Sequence, residues 1–492
     1  MYETDCLKLL SRQMKKNDDY AFSPRFVEKG KVVSVGDGIV WIEGLESAGI
    51  DEILIFDDGS QAVVFHLTES LIGGILIKQT DQLTAGMSAR HLKRNLTVKV
   101  GENLLGRVIN SLGEPLDGLA NPKLDYEVEL ERSSPPIYAR DFVNDPLFTG
   151  NRMIDSLIPI GKGQRQLLIG DNGLGKSALA MDIVANQANK DVICIYVLIA
   201  QNRSNVLNVI QTLKEVGAMD HCVVVVAEAN SLPGLQYLAP FAGCSIAEYW
   251  MLKGLDTLIV YDDLTAHAQC YRELSLLLRR PPGREAYPAD IFYLHSRLLE
   301  RSTCLSVEHG GGTMTALPII ETKEGEIASY IPTNLISITD GQVYFDIKEF
   351  SAGYLPAIDI TKSVSRVGGQ AQLLKIKKEA GRMKLDYLQY FELETFTRFG
   401  AKLEKTIQER INRGRVLRVI FKQDILSPTA PEELLGWLIA YNEGIFDNSK
   451  PEFVDKILSS LFNWIKLQKL DFKNPRDEWV NKIRKWSEKG YE

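Results

Sequence analysis

From about Phe26 to His91 the chain sets short apolar runs between glycine- and aspartate-rich turns: Lys31-Val-Val-Ser-Val, Ile39-Val-Trp-Ile, Ile53-Leu-Ile-Phe, Ala62-Val-Val-Phe and Gly74-Ile-Leu-Ile. Runs of this kind at even spacing predict a small closed or sandwiched β domain over 26–93. Residues 94–370 alternate strand-like apolar runs with helical periodicity, the pattern of a doubly wound α/β domain. Beyond Gly369 the strand-like runs stop. Residues 371–492 carry helical periodicity, many Lys and Glu positions and the tryptophans Trp437, Trp464, Trp479 and Trp486, which predicts a helical bundle. Residues 1–25 are polar and charged, with one apolar cluster from Cys6 to Leu10, and read as a separate N-terminal segment.

Composition narrows the function classes. The 492 residues suit about three domains at ~100–200 residues each. Lys plus Arg is 57 against 64 Asp plus Glu, a net charge of −7, which argues against a general nucleic-acid binder. The longest apolar runs, such as Val192–Ala200 and Cys222–Ala227, fall far short of the ~20 residues that cross a bilayer. Residues 1–20 lack the apolar centre of a secretory signal. The six cysteines form no Cys-x-x-Cys pair and mostly sit in apolar runs, and the six histidines form no helical pair. The expectation is a reduced cytosolic compartment and no structural metal.

Gly170-Asp171-Asn172-Gly173-Leu174-Gly175-Lys176-Ser177 fits the G-x-x-x-x-G-K-[ST] phosphate loop. Gln166–Ile169 reads as the strand leading in and Ser177–Val184 as the helix leading out. Glycines let backbone N–H groups close around phosphate oxygens, and the helix start adds positive potential. Lys176 would reach the β and γ phosphates, and the Ser177 hydroxyl would ligate magnesium. Thr257–Tyr261 reads as a buried strand ending in Asp262-Asp263, where a nucleoside triphosphatase needs a carboxylate beside hydrated magnesium. After the strand Val192–Ala200 comes Gln201, an amide that can orient water but cannot take its proton. Glu228 ends the next strand and reads as a solvated or capping residue. Arg366, in Ser363-Val-Ser-Arg-Val-Gly368, reads from spacing alone as a surface charge, with a finger reaching a neighbour's nucleotide as the other reading.

Over nearly its whole length the chain resembles the alpha subunits of rotary F-type ATP synthases. The resemblance is carried by Gly36–Val40, Leu112–Gly118, Ile154–Arg165, Leu235–Pro240, Ser275–Pro288, Phe292–Arg301 and Ser329–Gln342. It implies an N-terminal β-barrel, a central P-loop (RecA-like) nucleotide-binding domain and a C-terminal helical domain. It implies a ring of three alpha and three beta subunits around a gamma shaft, lined by Pro281–Pro288, with a delta-type stalk subunit at the N-terminus. The alpha site would bind ATP or ADP with Mg2+ without turning it over. Gln201 falls where the beta subunit carries its glutamate, and Arg366 falls on the arginine finger supplied to the beta site. Such a subunit sits peripherally on the cytoplasmic face of the bacterial plasma membrane and meets the membrane only through the ion-translocating sector.

Phe350 and Gln423 match positions the family uses around adenine. Asn172, Gly173, Leu174 and Ser177 depart from the usual loop, Leu355 stands where an arginine is usual, and Ile425 where a second glutamine is. These departures imply weaker nucleotide binding and resemble the alternate bacterial branch, some of whose members are thought to move sodium rather than protons. Two rivals share the core: self-sufficient hexameric ATPases of type III secretion or flagellar export, and RNA-translocating ring helicases. Gln201 argues against the first. The acidic balance and the lack of an aromatic–basic cluster in 26–91 argue against the second.

Overall fold

The computed structural model describes residues 28–188, 190–397, 405–447, 449–468 and 470–488. The N-terminal segment 1–25, Cys6 and the stalk contact expected there lie outside them.

Two units are distinguished, meeting in sequence at Arg94 and Asn95. In the first, β1 (Gly30–Gly36), β2 (Ile39–Glu43), β3 (Glu52–Phe56), β4 (Gln61–Leu67), β5 (Leu71–Lys78) and β6 (Ser88–Asn95) close into a barrel of order β1-β2-β5-β4-β3-β6. The choice between closed and sandwiched falls to closed. Asp37 and Gly38, both at positive φ, make the two-residue β1–β2 turn, the chemistry that a tight hairpin favours. Val40, Ile42, Leu54, Phe56, Val64 and Leu76 fill the interior.

The second unit opens with β7 (Thr97–Val100), β8 (Val108–Asn110) and β9 (Tyr126–Glu129), of which β7 and β9 pair with each other. Its main sheet adds β10 (Gln166–Asp171), β11 (Val192–Gln201), β12 (Cys222–Glu228), β13 (Asp256–Asp262), β14 (Thr313–Thr322), β15 (Gly341–Phe345) and β16 (Val364–Ser365). The order is β16-β15-β10-β14-β13-β11-β12-β8. All neighbours run parallel except β15 and β16, so the α/β sheet carries an antiparallel edge. The central strands are almost wholly apolar because a parallel sheet is buried on both faces.

Helices at 374–380, 383–397, 405–420, 431–442, 451–468 and 476–488 follow. Trp437, Trp479 and Trp486 are buried among them, with Trp464 packed alongside, as the helical patterning anticipates. Among the described residues no helix is long and apolar enough to cross a membrane.

Candidate functional site

The phosphate-loop sequence turns between the C-terminal end of β10 and the helix Lys176–Asn186. Gly173 and Gly175 sit at φ 79° and 93°, a left-handed backbone that L side chains adopt only at a cost. The helix starts at Lys176, so its first free N–H groups face the loop's concavity. Asn172, Gly173, Gly175, Lys176 and Ser177 line a cavity of about 500 Å³ together with Gln201, Asp262 and Glu321. Leu174 does not line it: its side chain turns into the core, so this position contributes loop backbone. Asp171 supports from behind, its carboxylate accepting from the Thr322 hydroxyl at 2.5 Å and the Gly325 N–H at 2.9 Å.

Lys176 is buried and donates to the Asp171 carbonyl at 2.7 Å. Burial pulls its pKa down, and the surrounding carboxylates Glu321, Asp263, Asp262 and Asp171 push it back. Ser177 Oγ donates to Asp262 Oδ1 at 3.1 Å, and the buried Tyr196 hydroxyl donates to Asp262 Oδ2 at 3.1 Å. Burial raises the Asp262 pKa against those two hydrogen bonds. Asp263 caps the next helix through the Ala266 N–H at 2.6 Å, and burial pushes its carboxyl up to about 7. The Ser177 hydroxyl and Asp262 carboxylate beside an ammonium suit a hydrated divalent cation with phosphate oxygens.

Gln201 closes β11 at the cavity rim, and the Asn205 amide stands 3.4 Å from its Oε1. Glu228 pairs in register with Gln201 on β12 but does not line the cavity. Sequence reasoning missed Tyr196 and Glu321. Glu321 carried a readable signal: it stands near the C-terminal end of a parallel strand, where ligands of such sheets gather. Tyr196 carried none, being one aromatic within an apolar run.

Phe350 and Gln423 lie away from the loop cavity's lining. Phe350 is on the short helix Ile347–Ser351, beyond the same end of β15 that flanks Gly170, and is 43% exposed. Gln423 N–H donates to the Leu355 carbonyl at 2.8 Å, which brings the two segments together. The Gln423 side chain is already engaged: Oε1 accepts from the Arg152 N–H at 3.0 Å, and Nε2 donates to the Gly150 and Ser427 carbonyls at 2.8 and 2.6 Å. Asp182, on the loop's own helix, accepts the Leu426 N–H at 3.0 Å. Asp182 follows Lys176 by six residues, roughly 9 Å along the helix from the loop.

Arg366 is nowhere near this cavity. Ser365 pairs with Gly341, and Gly341 with Gln166, so Arg366 stands at the N-terminal ends of β15 and β10. The loop follows the other end of β10, roughly 16 Å away along the strand. Arg366 is exposed, its N–H donating to the Asp340 carbonyl at 2.8 Å and its guanidinium to the Ile336 carbonyl at 3.3 Å. Asp340 is itself held by the Arg165 N–H, Nε and Nη2 at 3.0, 3.0 and 2.9 Å.

Comparison with known proteins matches residues 150–365 to the nucleotide-binding domain of the ATP synthase alpha/beta family, and residues 372–484 to the C-terminal domain of the ATP synthase alpha/beta chain. The chain is 63% identical to ATP synthase subunit alpha 1 of Legionella pneumophila (strain Paris), covering 97% of this chain and 98% of that protein. It is 53% identical to ATP synthase subunit alpha 1 of Hahella chejuensis, over 95% of this chain and 94% of that one. For the protein of the same name from Chlorobium luteolum the identity is 50%, over 85% and 82%.

Proposed function

The chain belongs to the ATP synthase alpha/beta family, and on that premise we propose that it works as the non-catalytic, nucleotide-binding alpha subunit of a rotary F-type ATP synthase. The observation that carries the reading is Gln201 at the rim of the phosphate-loop cavity. An amide there can hold a water but cannot deprotonate it. The nearby carboxylates are otherwise placed: Asp262 is tied to Ser177 and Tyr196, Asp263 caps a helix, and Glu321 sits in the field of Lys176. Phosphates would rest on the loop amides and Lys176, and Ser177 directly and Asp262 through water would hold Mg2+, which when bound neutralises phosphate charge.

In this reading the chain alternates with beta subunits in a ring of three each around a gamma shaft, with a delta-type stalk subunit at the N-terminus. Arg366 is the arginine finger for the beta subunit's nucleotide. Its place at the far end of β10 supports action in trans, because its own loop lies out of reach. The assembly would make or hydrolyse ATP coupled to proton or sodium transport, peripheral to the cytoplasmic face of the plasma membrane. A self-sufficient hexameric export ATPase is the weaker reading, since it needs a water-activating base at the strand end that Gln201 occupies.

The test is made on the purified full-length chain. ATP hydrolysis should stay far below the ~1–1000 per second of typical enzymes. Calorimetry should show Mg-ATP binding that Lys176→Ala abolishes. Equal affinity of the two proteins would mean that the loop is not a phosphate site. Robust turnover that Glu228→Gln or Glu321→Gln removes would restore the autonomous ATPase.

A further inference from the structure

The turn that carries Phe350 and Leu355 has an outer and an inner face. Phe350 and Leu355 are each 43% exposed, whereas Glu349 and Tyr354, their immediate neighbours, are half-buried. The turn closes on itself through Gly353 N–H to the Phe350 carbonyl at 3.0 Å and Tyr354 N–H to the Glu349 carbonyl at 3.0 Å. Its inner face is gripped by one residue of the C-terminal helices, Arg418 on the helix Lys405–Ile420.

Arg418 Nη2 donates to both Glu349 oxygens at 3.0 and 2.8 Å, and Nη1 donates to Glu394 at 3.1 Å. Its guanidinium carbon stands 3.8 Å from the centre of the Tyr354 ring, a stacked cation–π contact. Tyr390 donates its hydroxyl to the other Glu394 oxygen at 2.8 Å. The Arg418 side chain is only 11% exposed, so these charge-assisted bonds act away from bulk water. A planar guanidinium can stack on a ring and fork to two carboxylates at once, which an ammonium cannot.

We infer that Arg418 is a positioning residue for the nucleoside end of the site: by pinning Glu349 and Tyr354 it fixes the turn and holds Phe350 and Leu355 outward as an apolar face for the base. This rests on the nucleotide-site reading above and deepens it. Phe350 stands past the strand end next to the loop, and the 423–426 segment that abuts Leu355 also bonds to the loop's helix through Asp182. Arg418 itself touches neither the loop nor its cavity lining. Its removal therefore acts on the base and leaves the phosphates alone.

The experiment compares Mg-ATP with inorganic tripolyphosphate, which has the phosphates and no base, by calorimetry on the full-length chain. Arg418→Gln should weaken ATP by about tenfold or more while tripolyphosphate affinity stays within about twofold. Arg418→Lys should recover part of the loss. Glu349→Gln, which keeps the side-chain shape, should repeat the pattern should the arginine variant fold poorly. Unchanged ATP affinity, or parallel loss of both ligands, overturns the inference and leaves a purely structural bond between domains. If tripolyphosphate binds the wild type and Lys176→Ala equally, the phosphate-loop reading fails instead, and the positioning role falls with it.

Discussion

Replacing Arg366 by lysine keeps the charge and removes the planar fork. The native side chain is exposed and held by one long hydrogen bond to the Ile336 carbonyl, a contact worth about 1 kcal/mol or less to release. It is therefore free to reach a partner. At the other end of β10, roughly 16 Å away, even complete loss of a unit charge would change the potential by about 0.3 kcal/mol at the dielectric of water, and salt screens that further. Affinity at the chain's own site should accordingly change less than twofold. In trans the expectation is opposite in scale: arginine fingers are worth ~10³–10⁵ in phosphoryl-transfer rate, and lysine cannot reproduce the bidentate geometry. The assay is paired, with ATP hydrolysis by the reconstituted alpha–beta–gamma complex and Mg-ATP calorimetry on the isolated chain. Normal hydrolysis by the Arg366→Lys complex, or a loss of affinity confined to the chain's own site, refutes the assignment.

Three further outcomes follow from the same structure. Arg301 and Glu248 form a buried pair with bonds of 2.8 and 2.6 Å, so Arg301→Gln should cost about 3–5 kcal/mol in denaturant melts by leaving a buried carboxylate with only the half-exposed Arg132 at 3.8 Å; a loss below ~1 kcal/mol would contradict the burial. Burial raises the Asp155 carboxyl to about 6, against the hydrogen bonds from Thr149 and Gly150. A raised acid favours the fold at low pH, so relative to Asp155→Asn the wild type should lose on the order of 3 kcal/mol of stability as pH rises from about 3 to about 7; a flat difference would rule that out. The 281–286 stretch is exposed while Tyr287 is buried under the Arg272 guanidinium, 4.6 Å from its ring centre. Ala286→Cys should therefore cross-link to the gamma shaft in the assembled complex, and no adduct under any nucleotide condition would argue for a plain surface loop.

Local chemistry was legible in the chain; long-range chemistry was not. The phosphate loop is eight consecutive residues between a strand and a helix, and the Asp37-Gly38 turn is two, so each is read where it stands. Barrel closure depends on β6 returning to β1, a pairing that strand spacing leaves open. The Gln423 amide finds the Gly150 carbonyl 273 residues away, and no periodicity encodes that distance. Spacing likewise reads Arg366 as a surface charge, which its exposure matches; only the register of β16 on β15, and β15 on β10, shows which end of the sheet it occupies.

That register also divides the labour of the sheet. β10 has parallel neighbours on both sides and is buried for five of its six residues, so it behaves as a rigid spacer rather than a hinge. Its C-terminal end opens into the loop, Lys176 and Ser177. Its N-terminal end follows Arg165, whose backbone and guanidinium hold Asp340, whose carbonyl in turn holds Arg366. On the reading proposed above, groups at one end act on a nucleotide bound to this chain, and Arg366 at the other end acts on one bound to a neighbour. Substitutions in the cavity should therefore change occupancy of the chain's own site, whereas substitutions around Arg165, Asp340 and Arg366 should change a neighbour's rate. The distance that keeps the two effects separable is the length of a single buried strand.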